Sequence, residues 1–193
     1  MSRAISFVAV FLVLCLAASL GAQEGAKIQA AHEPQSLSAP AAKASDVASP
    51  DAILAAVYDV ISGPAGQKRD WDRFRSLFTP GARLIPVEPN KQGHMAVRAF
   101  TPEDYIRLSG PYFQKNGFAE REIARKTDRY GHIIEAFSTY ESRHDAKDAA
   151  PFARGINSFQ LFYDGSRWWI VTIYWEEETP TNPLPKEFLP PGR

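Results

Sequence analysis

Glu135 is the carboxylate whose setting best suits acid–base chemistry. It stands in Ile133-Ile134-Glu135-Ala136-Phe137, with apolar residues on both sides. A carboxylate in such a strand faces either solvent or a dry pocket, and a dry pocket raises its pKa toward the range a general acid or base needs. Alternation groups Glu135 with Ile133 and Phe137 on one face. Ile134, Ala136, Ser138 and Tyr140 fall on the other, which could equally line a cavity. His94 is the second candidate for proton transfer. Tyr58, Trp71, Asn157 and Trp175 are candidate ligand contacts, three aromatic walls and one amide able to fix a carbonyl. Each has a structural alternative: a core tyrosine with its hydroxyl satisfied, or an asparagine pinning a strand backbone.

Other chemistries find no residues to carry them. His132 and His144 are too far apart along one strand to share an ion, at about 3.3 Å per residue. Zinc-type ligand spacing is absent, so no metal is expected. There is no Gly-x-Ser-x-Gly elbow and no Gly-rich phosphate loop, so no cofactor is expected either. Lys plus Arg and Asp plus Glu are 22 each, and no basic stripe carries interleaved aromatics. Neither nucleic acid nor an anionic surface is therefore expected as a partner.

The elements that must position these residues can be read from caps, periodicity and turns. Ser49-Pro50-Asp51 opens a helix, with a hydroxyl cap, proline at the first position and an acid at the positive end of the dipole. Ile53, Leu54, Val57, Tyr58, Val60 and Ile61 recur at helical spacing until Gly63-Pro64. Asp70 caps a short second helix with Trp71, Phe74, Leu77 and Phe78 inward. Residues 82–87 and 94–100 are strand candidates. Thr101-Pro102-Glu103-Asp104 opens a third helix, in which Pro111 predicts a break near Gly110. Strands over 120–127, 132–143, 155–163 and 168–176 follow, the last two joined by Asp164-Gly165-Ser166-Arg167. Strict alternation sets Trp168 and Tyr174 on one face of the last strand, Trp169 and Trp175 on the other. Helices followed by long strands give an α+β class, three N-terminal helices packed on a curved antiparallel sheet.

This order, with Trp71-Asp72-Arg73-Phe74-Arg75-Ser76-Leu77-Phe78, the entry Thr79-Pro80-Gly81-Ala82-Arg83-Leu84 and the hairpin Asp164-Gly165 with Arg167-Trp168-Trp169-Ile170, resembles the NTF2-like superfamily, in particular its SnoaL-like bacterial members. The resemblance covers about residues 50–177. It implies a cone-shaped fold with a pocket at its wide end, and a homodimer through the outer sheet face. Some relatives are isomerases, dehydratases, epoxide hydrolases or cyclases, and many others only bind, so the fold leaves function open. The isomerase base would lie on the first strand, but Ala82-Arg83-Leu84-Ile85-Pro86-Val87 holds no acid. The hydrolase Asp-Arg-Asp set cannot be assembled from strand positions. Two readings remain. One is a binding module for a small, mainly apolar molecule or a protein partner. The other is a lyase, isomerase or hydrolase using Glu135, with Tyr58 or His94 assisting.

The ends carry their own signals. Arg3 followed by an apolar run over residues 4–20 and small residues at Ser19, Gly21 and Ala22 reads as a signal peptide over residues 1–22. The chain is expected to be exported to the periplasm or beyond, with no membrane contact once the signal is cleaved. The single Cys15 lies in that run, so no disulfide is expected in the mature chain. Residues 23–49 read as a flexible linker, 50–178 as the domain and 179–193 as a Pro-rich tail lying along it.

Overall fold

The computed structural model describes residues 39–192. The chain divides into two units, Met1–Leu37 and Ser38–Arg193, and the described residues belong to the second. The signal peptide and the linker up to residue 38 lie outside the described residues. The rest of the expected linker holds a helical turn, α1 (Ala44–Val47), in which Val47 and Asp46 are buried.

Three further helices follow from local chemistry. In α2 (Pro50–Ile61) the Ser49 hydroxyl accepts the Ala52 amide at 3.1 Å. In α3 (Trp71–Ser76) Asp70 does the same for Arg73 at 2.9 Å. The helix α4 (Pro102–Asn116) starts with a capping box, Thr101 and Asp104 each bonding the other's amide. It runs on through Pro111, contrary to the break expected at Gly110. The bond Pro111 forfeits would have gone to the carbonyl of Arg107, and both residues are exposed, so water can replace it. Arg73 ties α1 to α2 and α3, reaching Asp46 at 2.7 Å and Asp59 at 2.5 Å.

Six strands form one open sheet: β1 (Phe78–Pro89), β2 (Met95–Val97), β3 (Ala119–Tyr130), β4 (Ile133–Arg143), β5 (Ala153–Tyr163) and β6 (Trp168–Glu177), in the order β2-β1-β6-β5-β4-β3. The sheet is mixed rather than antiparallel, because β1 and β6 pair in parallel. Alternation within a strand reports which face is buried and carries no information on a neighbour's direction. The core lies between α2, α3, α4 and the concave sheet face, where Ile53, Phe74, Phe78, Phe159 and Ile170 are almost wholly buried. Truncating one of these phenylalanines to Ala costs about 3–5 kcal/mol.

Two bulges decide which way side chains point. In β6 the register to β5 shifts between Leu161↔Ile170 and Gln160↔Thr172, leaving Val171 unpaired. Trp168, Ile170, Ile173 and Trp175 consequently share the concave side. This overturns strict alternation, which paired Trp175 with Trp169. In β3 the shift falls between Glu122 and Ala124, so Glu122 and Arg125 come to one face. Three residues apart on a regular strand they would point oppositely.

The tail crosses the convex side. A 3-10 turn, Lys186–Phe188, sets Phe188 edge-on to Phe137 at 5.6 Å and under the Lys126 ammonium at 4.4 Å. The Thr139 hydroxyl donates to the Phe188 carbonyl at 2.6 Å.

Candidate functional site

The helices do not fill the concave face completely. They leave a cavity of about 390 Å³, bounded by α2 (Tyr58), α4 (Tyr105, Phe113), β3 (Glu120), β4 (Tyr140), β5 (Asn157) and β6 (Trp175, Glu177). That volume is in the range of small-molecule sites.

The polar end is built from paired strands. Glu120 lies opposite Ser142 and Glu122 opposite Tyr140, while Ser138 lies between Phe137 and Thr139 opposite Asn157. The Ser142 hydroxyl donates to Glu120 Oε2 at 2.7 Å. Ser62, just beyond α2, fixes the Glu120 backbone: its hydroxyl accepts the Glu120 amide at 3.0 Å and donates to the Tyr58 carbonyl at 2.7 Å. Gly155 faces Tyr140 because nothing larger fits. A Cβ there would stand 2.6 Å from the Tyr140 hydroxyl and strike the Glu176 carbonyl.

A directed hydrogen-bond chain runs behind this end. Arg125 holds Glu122 through Nε and Nη2, at 3.0 and 2.8 Å, and reaches Asp51 of α2 at 2.6 Å. The Glu122 carboxylate can only accept, so the Ser138 hydroxyl donates to it. Ser138 must then accept from the Tyr58 hydroxyl, 2.7 Å away, and the Tyr58 oxygen accepts from Asn157 Nδ2 at 3.0 Å. Proton positions along Asn157–Tyr58–Ser138–Glu122 are thus fixed by the ion pair at its end.

Electrostatics single out one group. Burial, with Glu177's charge adding to it and hydrogen bonds from Ser142 and Asn157 opposing, pushes the Glu120 carboxyl up to about 7. Partial burial and then the charge of Glu88 raise Glu177 as well. Burial, then the Glu120 charge, pushes the phenols of Tyr58, Tyr105 and Tyr140 well above the usual tyrosine range. They remain neutral hydrogen-bonding groups at physiological pH. The convex side behaves differently: burial pushes the Glu141 carboxyl up, but the Arg143 and Arg121 guanidiniums outweigh it and hold it below the usual range.

Of the residues singled out from the sequence, Tyr58, Asn157 and Trp175 line the cavity. Trp71 is not among its lining. It packs edge-on against Phe74 at 5.7 Å and closes over Gly110, whose added Cβ would meet its ring at 3.2 Å. Glu135 is exposed on the convex face, 3.4 Å from the Ser158 hydroxyl, because it is the opposite face of β4 that the helices cover. His94 is exposed at the start of the β2 hairpin, its amide bonded to Asn90 Oδ1 at 3.0 Å. Neither reaches the cavity. Glu120, which does, is not marked out in the sequence, where it opens the strand expected over 120–127 among charged neighbours Arg121 and Glu122. The available signal was alternation, which sets Glu120 and Glu122 beside the apolar Phe118.

No protein-family model matches the chain, and no curated protein does. Several solved structures are similar to it. One is a protein of unknown function with a cystatin-like fold from Nostoc punctiforme, at 12% identity and a TM-score of 0.48 over 68% of this chain and 89% of that one. Another is an NTF2-like protein of unknown function from Shewanella baltica, at 12% identity and 0.39 over 65% and 91%. A third is an NTF2-like protein of unknown function from Methylobacillus flagellatus, at 16% and 0.40 over 68% and 95%. At these identities the likeness is one of fold alone.

Proposed function

We propose that the domain binds a small molecule in the concave cavity. Its apolar body would lie against the rings of Tyr105, Phe113 and Trp175, and its polar end would meet Glu120, Asn157 and Tyr140. The observation carrying this reading is the convergence of those three polar groups on a cavity of about 390 Å³ whose walls combine aromatic rings with polar side chains. Native mass spectrometry of the mature protein, beside the same sample denatured, tests it. A mass excess lost on denaturation, and absent from Ser109→Trp with its cavity filled, is the expected result. An apo mass together with equal uptake of small aromatic probes by both proteins would contradict it.

A second reading rests on Glu120. A carboxyl near neutrality inside a pocket can give or take a proton at pH 7, beside neutral phenols able to hold a developing oxyanion. The domain would then be a lyase, isomerase or hydrolase with Glu120 as its acid–base group. Glu120→Gln tests this reading, since it would abolish turnover of any substrate found, whereas binding without turnover in wild type would favour the first. Export with removal of residues 1–22 is part of the same proposal, supported by Arg3 and the apolar run behind it.

A further inference from the structure

The cavity is short of positive charge. Glu88, Glu120 and Glu177 line it, and no Lys, Arg or His does. Several carboxylates elsewhere are given an arginine: Asp46 has Arg73, Glu122 has Arg125, Glu141 has Arg121 and Arg143, Glu178 has Arg154. Glu88 at the rim has Arg98 at 2.9 Å. Among the described residues Glu120 and Glu177 form no ion pair. They are the two carboxylates on this cavity that the chain leaves without a cation.

Two independent features say what chemistry could complete the site. First, Tyr140 is a buried residue (3% exposed) that lines the cavity, and its hydroxyl makes no hydrogen bond to another described residue and is not sealed from the cavity. A phenol hydroxyl with no partner can accept or donate, so it offers its oxygen to a ligand there. Second, the walls are aromatic, with Tyr105, Tyr112, Phe113, Phe118 and Trp175 around the carboxylates. Ring faces attract organic cations, and they offer no oxygen set for a hard metal ion. Among the described residues no group of three His, Cys, Asp or Glu is close enough to hold a metal.

We propose that the cavity selects a small organic cation, an ammonium head on a short apolar body, with the head between Glu120, Glu177 and the Tyr140 oxygen and the body against the aromatic walls. This rests on the reading of the cavity as a ligand site and names the class of ligand. The neighbouring titratable and charged groups on the cavity are Glu177, Glu88 and Arg98 from β6, β1 and the β2 side, Tyr58 from α2, Tyr105 and Tyr112 from α4, and Tyr140 from β4; on its other side Glu120 borders a pocket with Asp59, Arg121, Arg143 and Asp148. Burial pushes the Glu120 carboxyl up to about 7, so its charge changes near neutrality, and the Glu177 carboxyl is raised as well. A cation then binds better as Glu120 ionises, whereas a ligand accepting a proton from Glu120 binds worse.

The test compares phenyltrimethylammonium with tert-butylbenzene, the same shape with carbon in place of the charged nitrogen. Binding is followed by NMR shifts of the full mature chain at pH 6 and pH 8. The cation is expected to bind about tenfold tighter than the hydrocarbon at pH 8, and to gain about tenfold between pH 6 and pH 8. Glu120→Gln with Glu177→Gln is expected to erase both differences while hydrocarbon binding persists. Equal or tighter binding of the hydrocarbon in wild type would overturn the cation proposal and leave the ligand cavity standing. Binding of neither probe, with a retained neutral compound in the native mass spectrum, would do the same. Binding of neither, with an apo mass, would bring down both.

Discussion

Tyr58 and Asn157, 99 residues apart in sequence, meet at 3.0 Å on the floor of the cavity, the phenol oxygen accepting from the carboxamide. The contact joins the first long helix to the fifth strand and continues through Ser138 to the Glu122–Arg125 ion pair. Each buried group in it is satisfied by the next, so removing one leaves its neighbour without a partner.

Tyr58→Phe should therefore cost about 1–3 kcal/mol, the penalty of an orphaned buried donor or acceptor rather than that of an average hydrogen bond. Asn157→Ala should cost a similar amount. The double variant should fall short of the sum, since both break one link. Urea unfolding of the four proteins gives the coupling, and strict additivity would show that the two side chains act independently.

Glu120→Gln should change how stability depends on pH. The folded-state pKa, about 7, lies above the ordinary 4.5. The native chain binds the extra proton between those values, so its stability is greatest at low pH and declines as pH rises toward and through 7. The full difference is on the order of 3 kcal/mol. The glutamine variant should show a flatter profile and exceed wild type at pH 8. Parallel denaturation profiles for the two proteins from pH 5 to pH 8 would contradict this.

Much of this arrangement was legible in the sequence. Ser49, Asp70 and Thr101 announced three helices, and Asp164-Gly165 the last hairpin. Tyr58 and Asn157 carried a local signal, because a large ring or an amide in an apolar element must find a polar partner or a hollow, and both line the cavity. The face of Trp175 and the pairing of Glu122 with Arg125 were not legible, because each depends on a one-residue bulge that resets parity without a marker residue at Val171 or Ile123. Glu120 was hidden for a related reason. A carboxylate among charged neighbours looks solvated until the register with Ser142 and the anchoring by Ser62 turn it inward.

Arg69 is a buried pin without a carboxylate. Its guanidinium donates to the carbonyls of Ile61 at 2.8 Å, Gln67 at 2.7 Å and Gly63 at 2.5 Å, closing the C-terminal end of α2, where a cation is also favoured by the helix dipole. Arg69→Leu strips the buried Ile61 carbonyl and the part-buried Gly63 and Gln67 carbonyls of their donor and should destabilise by about 3 kcal/mol. Arg69→Lys should recover little, since one ammonium cannot span the same carbonyls. Chemical denaturation checks both, and a change under about 0.5 kcal/mol would count against the pin.

The tail should matter to the convex face. Phe188, Leu184 and Pro185 lie over Phe137, Ile156 and Tyr174. Deleting residues 179–193 uncovers those side chains. The truncated chain should melt at a lower temperature and self-associate more than the full chain in size-exclusion chromatography with light scattering. Identical melting and identical mass for both would mean that the tail adds nothing to this surface.

The most direct measurement is the titration of Glu120 itself, followed by the side-chain carboxyl carbon in glutamate-labelled protein and assigned with Glu120→Gln. A midpoint near 7 is predicted, falling when a cation occupies the cavity. A midpoint near 4.5, unmoved by Asn157→Ala or by any probe, would show a hydrated carboxylate at an open surface and would contradict the cavity as a ligand site.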